Sequence, residues 1–294
     1  MTTRPTLPVL DFALLGCLAL LWGGSYPLLK VAVAEIPPVT LIAVRVSVAA
    51  VLLLAIALVQ GERMPAGRQV WARLFLQAFL NSYGAWTLLA WGQRQIESAL
   101  GAVLNSTSPL FVFLFTLLVT RHEATGGLRL FGACLGLGGV VLIVGTDALN
   151  GLGGQVIAQL AVLVSAALYA GAALHGRRFS DLPPVVTAAG TMLCASAVLV
   201  PASVLLDRPW DLAPSGKAVA ASLVLGVACT GIALLLYFRL VRTLGSLGVA
   251  SQSYLRAGVG VLLGVLVLGE TLTPTVIAGV VAAIAGVVAI NWRR

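Results

Sequence analysis

Two stretches of the sequence, 100–141 and 247–288, align without gaps when the chain is shifted by 147 residues, which is half of its 294-residue length. Each stretch holds two apolar runs of membrane-spanning length joined by a short polar turn. The matched pairs include Asn105 and Gln252, Glu123 and Glu270, Gly132 and Gly279, and Gly139 and Gly286. This self-similarity indicates an internal repeat of one structural unit, and it predicts two domains, 1–147 and 148–294.

Apolar runs near 20 residues recur along the whole chain, and such a run is long enough to cross ~30 Å of hydrocarbon as a helix. The chain is 60% apolar and 10% charged, whereas a soluble domain carries about a quarter charged residues. The sequence therefore predicts an all-α integral membrane protein. The net charge of +8 fits the basic cytoplasmic loops of such proteins better than it fits nucleic-acid binding.

Ten membrane-spanning helices are predicted, joined by short connections rich in proline, glycine and charge. They cover approximately 11–30, 38–60, 70–92, 98–120, 128–146, 155–177, 184–206, 217–240, 246–267 and 274–292. With both termini in the cytoplasm, 12 lysines and arginines fall on the inner side and 4 on the outer side. Five helices per half is an odd number, so the second half is predicted to be inverted relative to the first, as in many secondary transporters.

The first apolar run ends in Ala32-Val33-Ala34, which resembles the cleavage site of a secretory signal. Its repeat partner, 169–177, lies inside the chain. We therefore expect the first run to be retained as a membrane helix. The four cysteines all lie inside apolar runs without a CxxC pair, which favours small core residues over metal or redox roles.

Three features resemble the drug/metabolite transporter superfamily, EamA type. They are the five-plus-five repeat, Leu-Trp-Gly-Gly-Ser at 21–25, and Leu-Gly-Glu-Thr-Leu-Thr-Pro at 268–274 followed by two glycines. Within that superfamily the chain looks most like the YddG-type exporters of aromatic amino acids. Arg45 matches an arginine common in the second helix of the family. The family usually has a proline midway along the fourth and ninth helices; Pro109 supplies the first, but Arg256 replaces the second.

Arg256 is predicted to lie near the middle of the ninth helix, where a charge usually faces a cavity or a partner. It could hold a substrate carboxylate in a bidentate way, or tie to backbone carbonyls inside the bundle. Arg45 lies about seven residues from Pro38, so it could snorkel to the outer surface, and a structural role is favoured over a role in substrate binding.

Asn105 and Gln252 occupy the same position in the two halves, each four residues after a glycine. A two-fold axis between the halves would place these amides across from each other, where the polar groups of a substrate could satisfy them. The alternative is hydrogen bonding between closely packed helices.

Several aromatic residues lie deeper than the interfacial belt and could line a pocket for an apolar or aromatic side chain, with plain core packing as the alternative. They are Trp22 and Tyr26 on the first helix, Tyr83 and Trp86 on the third, Tyr169 on the sixth and Tyr237 on the eighth. The remaining tryptophans fit interface anchors: Trp71, Trp91, Trp210 and Trp292.

All ten acidic residues fall at helix ends or in loops, although coupled carriers commonly use an intramembrane carboxylate. This pattern favours passive transport. The sequence holds no GxxxxGK[ST] loop and no HExxH or GxSxG motif, which disfavours ATP drive and an enzyme. No cofactor and no metal site are expected.

The sequence as a whole predicts a multi-pass secondary transporter of the bacterial inner membrane that exports small amphiphilic metabolites. Aromatic and other amino acids are the preferred cargo, as the resemblance implies, and the cavity between the repeats is the expected site. The alternatives are a drug or nucleotide-sugar carrier, an intramembrane lipid enzyme and a membrane scaffold. The expected partners are a small-molecule substrate and the lipid bilayer, and a ten-helix unit is compatible with a monomer.

Overall fold

The computed structural model describes residues 8–120, 127–149, 153–237, 239–240, 243 and 252–291. Within these ranges every regular element is a helix. The α-helices are α1 (Pro8–Val33), α2 (Pro38–Val59), α3 (Arg68–Ala78), α4 (Ala85–Gln93), α5 (Ser98–Asn105), α6 (Ser108–Thr120), α7 (Gly127–Leu149), α8 (Gly153–Gly176), α9 (Pro184–Leu206), α10 (Gly216–Gly226), α11 (Gln252–Leu268) and α12 (Pro274–Asn291).

Six helical stretches of the described chain are long and apolar enough to span a bilayer. They are Leu10–Val33, Pro38–Val59, Ser98–Phe115, Gln155–Gly176, Pro184–Leu206 and Gly216–Tyr237, with shorter apolar helices at Leu130–Leu142, Leu255–Leu268 and Pro274–Gly286. Large apolar side chains such as Val59 and Leu205 face outward, as expected for surfaces in contact with lipid. The structure is thus that of an all-helical multi-pass membrane protein; the count of ten spans and the cytoplasmic termini remain predictions.

Three of the predicted spans are interrupted. The predicted third helix is α3 and α4 joined through a π-helical turn, Phe79–Tyr83. The predicted eighth helix has a similar turn, Val227–Ile232, after α10. These two turns fall at nearly equivalent positions when the chain is shifted by the repeat offset. A π turn lets one residue bulge from the helix and is frequent at functional sites.

The predicted fourth helix breaks between α5 and α6, just before Pro109. Pro109 has no N–H, so it cannot donate to the carbonyl of Asn105 four residues earlier. The Ser108 hydroxyl donates to that carbonyl instead, at 2.9 Å. The hydroxyl of Thr107 likewise donates to the Leu104 carbonyl at 2.6 Å. Side-chain hydroxyls therefore satisfy the backbone where the helix is broken.

The helices pack in pairs drawn from the two halves of the chain. α7 packs along α12, α2 along α9, and α1 along α11. Under the shift of half the chain length, α7 corresponds to α12 and α2 corresponds to α9, so each of these pairs maps onto itself. The pairing does not test where one repeat ends and the next begins, so the division into domains 1–147 and 148–294 remains a prediction.

Carboxylates tie the two halves together at the end of the bundle predicted to be outer. Glu270 follows α11 and accepts hydrogen bonds at the start of α5 from the Ser98 and Ala99 N–H groups, at 2.6 and 2.8 Å. The Ser98 hydroxyl donates to the same carboxylate at 3.0 Å. An acceptor with negative charge is favourable there because the first N–H groups of a helix have no partner within it.

Two further acids do the same at this end. Asp207 follows α9 and accepts from the Thr40 N–H at 2.9 Å and from its hydroxyl at 2.7 Å, near the start of α2. Glu35 accepts from the Ser215 N–H at 2.7 Å and from its hydroxyl at 2.8 Å, at the start of α10. Three of the acidic residues that sequence analysis places at helix ends, Glu35, Asp207 and Glu270, therefore cap helices of the opposite half.

Candidate functional site

Arg45 on α2 lies inside the bundle, with only 4% of its surface exposed. Its Nε donates a hydrogen bond to the Thr230 hydroxyl at 2.9 Å, and its Cζ lies 4.0 Å from the centroid of the Trp86 ring. A guanidinium over an aromatic face is attracted by the electron density of the ring. The interpretation that Arg45 snorkels to the outer surface is therefore wrong, because these two interior partners hold its head group.

The π turn after α10 explains how Thr230 reaches Arg45. Its hydroxyl donates to the Leu225 carbonyl five residues earlier, at 2.8 Å, and accepts from Arg45. At Gly226 an added Cβ would lie 3.1 Å from the Arg45 carbonyl oxygen and 2.8 Å from Cβ of Val48. The glycine thus allows α10 to approach the backbone of α2 at the level of the arginine.

Two phenols join the arginine and the tryptophan in the same region. The Trp86 indole N–H on α4 donates to the Tyr169 hydroxyl on α8. The Asn105 amide on α5 donates to the Tyr26 hydroxyl on α1 at 2.8 Å. Both phenols interact electrostatically with the Arg45 charge. We call Tyr26, Arg45, Trp86, Asn105, Tyr169 and Thr230 the central cluster.

Arg256 lies at the border of the central cluster, on α11. Its charge interacts electrostatically with the Tyr169 phenol. Its Nε is buried and makes no hydrogen bond within the described structure, and the same is true of Asn105 Oδ1. A buried polar atom without a partner is costly, so each of these atoms is available to a ligand.

The groups that interact electrostatically with Arg45 are the phenols of Tyr169 and Tyr26 and the Cys229 thiol. No carboxylate of the described residues is among them. A guanidinium is permanently charged and its planar fork suits carboxylate geometry. The central cluster can therefore bind an anion next to aromatic rings. In the described ranges no group of three or more His, Cys, Asp or Glu could hold a metal ion.

Four of the nine predicted site residues, Tyr26, Trp86, Asn105 and Tyr169, belong to the central cluster. Arg256 borders it. Trp22 and Tyr237 lie elsewhere, with ring centroids 5.5 Å apart in a smaller apolar cluster formed by α1, residues 233–237 and Leu240.

Tyr83 packs against Phe75 and Phe79, two phenylalanines that are 48% and 40% exposed, with ring centroids 5.6 and 5.4 Å away. Its ring is half-buried and lies between these phenylalanines and the main apolar core. Gln252 begins α11, but its side chain lies outside the described residues, so its predicted place opposite Asn105 stays a prediction.

Sequence analysis missed Arg45 and Thr230 as site residues. The resemblance to EamA-type transporters singled out Arg45, and this was the one available signal. α2 is apolar on all sides, so its sequence does not show which face is buried. Nothing in the sequence marks Thr230, because its role depends on the π turn.

The chain is similar to known membrane transporters. The model of the EamA-like transporter family matches residues 12–145 and again residues 156–292. The uncharacterized inner membrane transporter YedA of Escherichia coli strain K12 is 28% identical over 273 residues, which cover 93% of this chain and 87% of YedA. The uncharacterized transporter YoaV of Bacillus subtilis strain 168 is 23% identical over 220 residues, covering 74% of this chain and 75% of YoaV.

One solved crystal structure superposes on 95% of this chain and 96% of its own, with a TM-score of 0.66 and 20% sequence identity. At this identity the likeness shows a shared fold.

Proposed function

The chain belongs to the EamA-like transporter family, and from this membership we propose that it exports small amphiphilic metabolites, above all aromatic amino acids, across the bacterial inner membrane. The names of the relatives specify transport without a substrate. The choice of substrate therefore depends on the chemistry of the central cluster.

The observation that carries the proposal is the buried guanidinium of Arg45 over the Trp86 ring, with no described carboxylate beside it. An amino acid brings the missing carboxylate, which a guanidinium holds through parallel N–H donors. An aromatic substrate side chain would pack on Trp86 and the neighbouring phenols, where ring contacts add to the area buried.

The amino group of the substrate needs acceptors. Asn105 Oδ1 is buried and unpartnered, and the Tyr26 and Tyr169 hydroxyls lie in the same cluster. In this proposal Asn105 receives the ammonium, and Arg256 supports the carboxylate through its free Nε.

Access would alternate between the two sides by movement of one repeat against the other around this cluster. The members of the cluster come from both halves of the chain, and the family model matches each half once. The π turns on α3–α4 and after α10, together with the break before Pro109, give the lining segments places to bend.

The proposed transport is passive. In the described residues the capping carboxylates lie at helix ends, and the sequence holds no acid in the middle of a span. A carboxylate in the membrane is the common means of coupling to protons or sodium.

The test is uptake of labelled tryptophan or phenylalanine into proteoliposomes, first without any ion gradient and then with a proton gradient, with protein-free liposomes as the control. Equilibrating uptake without a gradient supports a passive aromatic amino acid carrier. Uptake that requires the gradient contradicts passive transport, and no uptake in either condition contradicts the aromatic amino acid substrate.

A further inference from the structure

The charge balance of the central cluster is one-sided. Arg45 is buried, and the side chains that interact with its charge are phenols, a thiol, a hydroxyl and the Trp86 ring, all of them neutral groups. Arg256 adds a second positive charge near Tyr169. Burying a charge without an opposite charge beside it is costly, so an anion binds more favourably here than it would in a neutral pocket.

The guanidinium of Arg45 also keeps most of its N–H donors free of protein partners in the described structure. In the described part of the chain its single hydrogen bond is the one from Nε to Thr230. Its Cζ lies over the Trp86 ring, 4.0 Å from the ring centroid, so the ring restricts the position of the head group. The remaining N–H donors stay available at the edge of the fork, which is the side that a carboxylate uses in bidentate pairing.

The central cluster offers a positively charged substrate group few favourable contacts. The acceptors near the cluster are the Asn105 Oδ1 and the phenol oxygens, which are neutral. Two arginines repel a positive group, and the described structure offers no carboxylate to offset this. An ammonium group therefore adds one or two neutral hydrogen bonds at most, and each such bond contributes little net free energy.

We infer that Arg45 determines substrate specificity by requiring a carboxylate, and that the amino group of the substrate is dispensable. This inference rests on the proposed function and widens it. The substrates form the class of aromatic carboxylates, with or without an α-amino group, and aromatic amines are excluded.

The test uses four probes that share one aromatic ring, titrated calorimetrically into the full-length protein purified in detergent. Phenylalanine carries both groups, 3-phenylpropanoate only the carboxylate, and phenylalaninamide and phenethylamine only the amine. We expect the two carboxylates to bind within about tenfold of each other, because the amine makes only neutral hydrogen bonds. We expect the two amines to bind about 100-fold more weakly or worse.

The Arg45→Gln variant separates a specificity role from a structural one. Loss of the charge should weaken both carboxylates by about 100-fold and leave the amines unchanged or slightly tighter. A purely structural role would weaken all four probes alike. Arg94→Gln, in an exposed loop, is the matched control and should bind all probes as the wild type does. Arg45→Lys keeps the charge without the fork and should give intermediate carboxylate affinity.

Three outcomes overturn the inference: phenethylamine binding as tightly as 3-phenylpropanoate, 3-phenylpropanoate binding far more weakly than phenylalanine, or an equal loss for all probes in Arg45→Gln. The wild-type comparison of probes does not depend on whether that variant folds. Hexanoate and hexylamine, titrated in parallel, distinguish this inference from the proposed function. Binding of hexanoate without any aromatic probe contradicts the aromatic substrate but supports the carboxylate requirement, and binding of no carboxylate contradicts both.

Discussion

Two neighbouring glycines on α7 provide a matched test of how this helix packs on α12. At Gly139 an added Cβ would lie 2.6 Å from the Gly279 carbonyl oxygen and 2.6 Å from the backbone nitrogen of Ala283. At Gly138 an added Cβ would meet nothing within 4 Å, because this position is exposed. We therefore expect Gly138→Ala and Gly139→Ala to have opposite effects on stability.

The magnitudes follow from two terms. Each substitution raises the free energy of unfolding by about 0.5–1 kcal/mol through the backbone, because alanine loses less conformational entropy than glycine when a helix forms. At Gly138 that gain is the whole effect. At Gly139 the methyl group meets backbone atoms that no side-chain rotation can move, so α7 and α12 must separate. Overpacking of this kind costs about 1–3 kcal/mol, which leaves a net loss of stability of up to about 2.5 kcal/mol.

The measurement is unfolding of both variants in mixed micelles of dodecyl maltoside and SDS, followed by circular dichroism, with the wild type alongside. The unfolding midpoint should move to higher SDS for Gly138→Ala and to lower SDS for Gly139→Ala. Shifts in the same direction would refute the close backbone approach of these two helices.

Three further predictions concern charge. Glu270→Gln removes the negative cap from α5 and should lower the free energy of unfolding by about 1–2 kcal/mol, whereas Asp211→Asn at the same end should change it by less than about 0.5 kcal/mol. Equal effects in the micelle assay would contradict the capping role. Burial, and then the Glu270 charge, raise the pKa of Glu97. This group therefore stabilises the fold below its unfolded pKa of about 4.3, and the stabilisation is lost as pH rises through the folded pKa. Glu97→Gln should be more stable than the wild type at neutral pH and lose that advantage in acid; an unchanged pH profile would contradict this. Arg256→Ala should slow uptake of labelled tryptophan into proteoliposomes, and wild-type rates would remove Arg256 from the site.

The ends of some helices could be predicted closely from sequence. The second and seventh helices are predicted to start at 38 and 184, and the structure starts α2 at Pro38 and α9 at Pro184. A proline is favourable at the first helical position because its missing N–H has no partner there in any residue. Local chemistry alone sets these boundaries, so one sequence is sufficient to find them.

The π turns could not be predicted in the same way. Neither turn contains a proline, so the sequences of the predicted third and eighth helices favour uninterrupted spans. In the second turn, the Thr230 hydroxyl satisfies the Leu225 carbonyl and accepts from a residue 185 positions away. Such a turn forms because of tertiary contacts, which the periodicity of one segment does not contain.

The same limit applies to the candidate site. Trp22 and Tyr26 share a helix face in the sequence, one turn apart. The structure places them in separate layers, Tyr26 beside Asn105 and Trp22 against Tyr237. Sequence spacing identifies residues on one face, but the partners across the bundle decide which of them meet. The expectation that Arg45 reaches the outer surface failed for the same reason, because its partners Thr230 and Trp86 lie on other helices.

The placement of acidic residues links the stability of the fold to the chemistry of the site. Glu35, Asp207 and Glu270 all serve as acceptors at helix starts of the opposite half. A carboxylate is most favourable at such a position, where it meets unpaired N–H groups and some water remains. The middle of a span offers neither unpaired N–H groups nor water, so a carboxylate there would be costly. This agrees with the sequence, in which the acids lie at helix ends or in loops. Among the described residues no carboxylate interacts with the charge of Arg45, and in the proposed function the substrate supplies one.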